Sequence, residues 1–172
     1  MSFSDFNGIP TSANSLNIRV SFNIGQSVGS SNNNNKRFQN YSVNNSIQQT
    51  IVADNRYDFG AFTFVDSATL GSKVVINCRG IFSFTYSDRS VGGSNIGLAV
   101  STPQSPATTA TAIQNQSQQN ILAIDTNAAN ARGSVSYVGW FNPGDEVFPN
   151  TDSATANGNE TSMHVCFLGP QS

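Results

Sequence analysis

The chain has 172 residues, only 10% of them charged, and a net charge of −2. That length suits one domain, since a domain of about 150 residues buries roughly 70% of its unfolded surface, and it excludes two well-filled cores. The sparse charge excludes a long-range field for nucleic acid or an acidic membrane. It also removes one usual defence against self-association.

Residues 1–14 lack periodicity and read as an N-terminal arm with two apolar anchors, Phe3 and Phe6. No basic stretch followed by an apolar run opens the chain, so the expectation is synthesis in a cytoplasm without a secretory signal. From Leu16 to Ile24 apolar and polar residues alternate strictly, the pattern of a half-buried strand. The Gly/Ser/Asn tract that follows, including Asn32 to Asn35, reads as a loop or wide turn.

Short strand-like runs then recur at 37–43, 47–53, 58–65, 73–78, 80–87, 95–101, 119–124, 133–140, 145–148 and 161–168. Turn signals such as Gly92-Gly93-Ser94, Pro143-Gly144-Asp145 and Asn157-Gly158-Asn159 separate them. Residues 102–118 form the longest polar loop. Helix is disfavoured, because strong helix formers are scarce: five Leu, two Lys and two Glu. Many short strands with regular punctuation mean a sandwich or barrel. Residues 15–172 are expected to form one such domain. No run approaches the 18 apolar residues of a membrane-spanning helix.

Catalytic chemistry finds little to work with. His164 is the only histidine, so no Ser-His-Asp, Cys-His or two-His metal site assembles within one chain. Its apolar strand context favours a packed, hydrogen-bonded side chain. Cys78 ends an apolar run, where cysteine behaves as a small hydrophobe. Asp145 and Glu146 are adjacent, but neighbours in a strand face opposite ways, and Asp145 suits a turn. Asp54, Asp58 and Asp66 flank strands without the spacing of a calcium loop. No cofactor, no metal and no enzyme activity are expected.

Two segments carry a resemblance. Arg79-Gly80-Ile81-Phe82-Ser83-Phe84-Thr85-Tyr86 sets aromatics at period two behind a glycine. Val135-Ser136-Tyr137-Val138-Gly139-Trp140-Phe141 leads into Gly144-Asp145-Glu146-Val147, and Ser162 to Gly169 closes the order. Residues 57–169 thereby resemble the C1q/TNF-like jelly roll. The proline that family often carries three residues before the mid-domain glycine is Asn77 here.

The resemblance implies an all-β, antiparallel jelly-roll sandwich that forms homotrimers for binding and not for catalysis. Phe82, Phe84, Tyr86, Tyr137, Trp140 and Phe167 become candidates for the core or the trimer interface. Versions of this fold serve in tailed-phage virions, whose Asn/Ser/Thr-rich, charge-poor composition is similar. The implied role is a decoration or cement trimer on the capsid surface, with the major capsid protein as partner and residues 1–45 reaching onto the shell. The alternative is a tail-fibre tip or receptor-binding protein. A glycan-active domain built around Trp140 and the carboxylates is a third reading.

Overall fold

A computed structural model describes residues 15–20, 26–28, 34–37, 41–43, 47–49, 56–58, 60–67, 69–89, 92, 94–111, 113–152 and 161–170. The anchors Phe3 and Phe6 lie outside these residues. Two antiparallel sheets face each other. One holds β12 (Arg132–Phe141), β9 (Gly80–Arg89), β14 (Ser162–Gly169), β1 (Ser15–Val20), β4 (Tyr41–Val43) and β5 (Ile47–Gln49), in that spatial order. The other runs β11 (Ile121–Asn127), β10 (Ser94–Ser101), β13 (Glu146–Thr151), β8 (Gly71–Ile76), β7 (Phe62–Ser67) and β6 (Arg56–Asp58). Beside β13 this second sheet also takes β3 (Asn34–Arg37), which pairs in turn with β2 (Gln26–Val28).

Period-two patterning builds the core. Strand β9 alternates buried and half-buried along all ten residues, with Phe82, Phe84 and Tyr86 inward. Strand β14 sends Met163, Val165 and Phe167 to the same core. The opposite sheet answers with Phe62, Phe64, Val74, Ile76, Leu98 and Val147. The rings interlock. Phe82 lies 5.0 Å from Phe167, 6.0 Å from Phe141 and 6.3 Å from Phe84, centroid to centroid.

Three sequence expectations need correction. Residues 58–65 are two strands, because the chain turns between β6 and β7, where Gly60 takes φ 79°. The end of the Asn tract is not loop: Asn34 and Asn35 enter β3, and Asn35 and Lys36 are buried. Residues 15–20, 34–37 and 41–43 are strands of the two sheets, so these parts of 1–45 belong to the sandwich and not to an arm. At the position of the missing proline, the Asn77 amide donates to the Gly60 carbonyl and to Thr63 Oγ1, fastening the start of β7.

Candidate functional site

Among the described residues, no group of three or more His, Cys, Asp or Glu side chains gathers as metal ligands do. His164 points outward and is exposed, against the expectation of a packed histidine. Its neighbours across the register are Thr85 and Asn17. Burial holds the Cys78 thiol above its usual pKa, and Cys166 faces the other side of its sheet, so both remain free thiols. The Asp145 carboxylate accepts the Asn142 N–H at 2.8 Å and closes the Pro143-Gly144 turn. Glu146 pairs with Lys73. The paired acids are structural.

The built features are two. The first is a buried charge cluster between the sheets. By period two, Asp88 continues the inward row of Phe82, Phe84 and Tyr86, so β9 carries an acid into the interior. Lys36 reaches it from β3 in the opposite sheet, at 3.0 Å, and both side chains are fully buried. Tyr86 Oη donates to Asp88 Oδ2, while Thr161 Oγ1 and the Arg89 N–H donate to Oδ1, each at 2.8 Å. Four donors thus satisfy one carboxylate. That is the condition under which a buried pair is tolerated. The residue-by-residue reading missed this cluster. Its signal was Asp88 at an inward register position, where an acid demands a partner.

Burial opposes ionisation of Asp88, but the Lys36 charge and the hydrogen bonds outweigh it and hold the carboxyl below the usual carboxylate range. A depressed acid stabilises the fold above its unfolded pKa of about 3.9, and that contribution is lost as pH falls through the lower folded value. Melting temperature should therefore fall steeply below pH 4. The slope should flatten in Asp88→Asn, and an unchanged slope would remove Asp88 as its source.

The second feature is the outer face of the six-stranded sheet. Successive rows across β12, β9 and β14 read Ser134-Ser87-Ser162, Ser136-Thr85-His164, then Val138-Ser83-Cys166. Trp140 lies opposite Ile81 at the far end, where Leu168 occupies a bulge. The polar half is zipped by hydroxyls, with Ser87 donating to Ser134 at 3.0 Å and Thr85 bonding Ser136 at 3.1 Å. The other half is bare. Val138 is 60% exposed, and Trp140 and Leu168 are 51% exposed. Ile124, 47% exposed, lies on β11, the edge strand of the other sheet. Of the six sequence candidates, Phe82, Phe84, Tyr86 and Phe167 are core, Tyr137 is half-buried against Phe141, and Trp140 faces outward.

Murine APRIL, in a crystal structure at pH 8.5, superposes with a TM-score of 0.55 over 90% of this chain and 98% of its own, at 8% identity. The fold is a C1q/TNF-like jelly roll. At that identity the likeness is one of fold. The globular domain of zebrafish complement 1qA protein matches at 12% identity over 92% of this chain and 99% of its own, with a TM-score of 0.43. Pika GITRL matches at 10% identity over 75% and 92%, with a TM-score of 0.46. No family model matches the sequence, and neither does any curated protein. On this jelly roll, no described helix is long and apolar enough to cross a membrane.

Proposed function

We propose that the chain is a non-enzymatic structural module that forms homotrimers and serves as a decoration protein on a phage capsid. The observation that carries the trimer is the placement of the exposed apolar side chains. Val138, Trp140 and Leu168 share one end of a sheet face, whereas Ile124 stands on a different edge. An exposed apolar sheet end is a surface that a second copy can cover, and a contact repeated head to tail closes into a ring where its rotation allows. Only 10% of the residues are charged, so little electrostatic repulsion opposes a second copy. Obligate interfaces commonly bury about 2,000 Å² or more and resemble a core cut in half.

The capsid role rests on composition: a charge-poor, amide- and hydroxyl-rich subunit with no catalytic constellation among its described residues. A trimer that binds only the assembled shell would stabilise it by mass action. Residues 1–14, with Phe3 and Phe6, remain the segment offered to the major capsid protein.

Native mass spectrometry should find a species of three times 18.3 kDa that persists on dilution. Val138→Asp combined with Trp140→Asp should yield a monomer that keeps the β-rich circular dichroism of the parent. A monomeric parent at micromolar concentration would sink the trimer. Quantitative mass spectrometry of purified virions then separates the two virion roles. A copy number comparable to that of the major capsid protein supports decoration, and a few copies per particle would assign the chain to a fibre tip instead.

A further inference from the structure

A cavity of about 180 Å³ lies where the loop 102–120 folds back over β10 and β13, away from the apolar sheet end. Its floor is Ala99, Val100 and Ser101 of β10 with Phe148 of β13. Ser105, Pro106, Thr108 and Thr109 form an exposed rim, and Gln116 and Asn120 complete the wall.

The wall is pinned. Buried Asn150 accepts the Ile113 N–H at 2.9 Å and donates to the Thr111 carbonyl and to Asn35 Oδ1, both at 2.8 Å. Ile113 packs so tightly over Gly97 that a Cβ there would sit 2.6 Å from Ile113 Cγ1. A loop held by a buried amide and an anchored side chain is ordered before any ligand arrives, which lowers the entropic cost of binding.

The lining selects a chemistry. Every lining side chain is uncharged. The hydroxyls of Ser105 and Thr108 and the amide of Asn120 make no hydrogen bond to another described residue. An ionic ligand would lose hydration without meeting an opposite charge. A wholly apolar ligand would cover hydroxyls and amides and leave them unpaired. What fits is a compact neutral molecule rich in hydroxyls, with Pro106 the exposed apolar side chain of the lining, since Ala99 and Phe148 are almost fully buried. The volume is below the roughly 300–1,000 Å³ of pockets for drug-sized ligands, which limits the occupant to one ring. We propose that this cavity binds a single uncharged sugar ring, independently of the capsid role.

Saturation-transfer NMR on the intact protein with galactose, glucose and N-acetylglucosamine tests it. At least one sugar should saturate, and its affinity should drop tenfold or more in the double variant Ser105→Ala with Asn120→Ala, one exposed and one half-buried position, at unchanged melting temperature. Ala107→Trp, which fills the cavity, should abolish the signal. Saturation by none of the three sugars would overturn the proposal. So would equal binding to the variants, or glucuronate or phosphate binding as tightly as the neutral sugars.

Discussion

Asp88→Ala should cost about 3–5 kcal/mol of folding free energy, the range for stripping one partner from a buried ion pair. The loss is large because three neighbours fail together. Lys36 would be left fully buried without a counter-charge, and Tyr86 Oη and Thr161 Oγ1 would lose their acceptor. Desolvation already pulls the lysine pKa down with Asp88 present, and removing Asp88 would pull it down further. Lys36→Met should cost less, since the carboxylate keeps three of its donors and methionine replaces most of the buried stem. Denaturant titration at one fixed protein concentration keeps subunit association from contributing to the comparison. Equal losses below about 1 kcal/mol for both variants would show that the pair is replaceable in place.

Phe82→Ala should fall in the same range, about 3–5 kcal/mol, as expected for a fully buried aromatic ring. Phe82 touches the rings of Phe62, Phe84, Phe141 and Phe167, and so joins both sheets. Its neighbours come from β7, β9, β12 and β14, a set of elements that cannot collapse together to close the void. Phe84→Ala should approach the same value. On the opposite face of the same strand, Ser83→Ala should change stability by less than about 0.5 kcal/mol. Similar losses at 82 and 83 would refute the inward register.

The strands read best were those where pattern and burial coincide. The 82-84-86 row and the alternation of residues 133–140 were legible because one face of each strand meets a core and the other does not. Trp140 shows the limit of that reading. Aromatic character left core and subunit interface both open for it, and the register places it beside Ser134, Ser136 and Val138 on the outer face. Asn35 and Lys36 were illegible for the opposite reason. Their polarity signals a loop, and only partners more than fifty residues away, Asp88 and Asn150, make their burial tolerable. Local sequence cannot display such a partner. His164 was misread because the apolar residues around it, Met163 and Val165, face the other way.

The pairing of β1 with β14 has a consequence for how the chain acquires its shape. Strand β14 is last in chain order among the described strands, yet it lies between β1 and β9 and supplies Met163, Val165 and Phe167 to the interior. A nascent chain therefore holds no closed sandwich until its final strand clears the ribosome. Until then β9 has one open edge and Phe82 lacks the Phe167 ring, a hazard for sticking to other chains. Contacts this distant along the sequence also slow the search for the native state. Closure of the sandwich here must wait for the whole domain to be made.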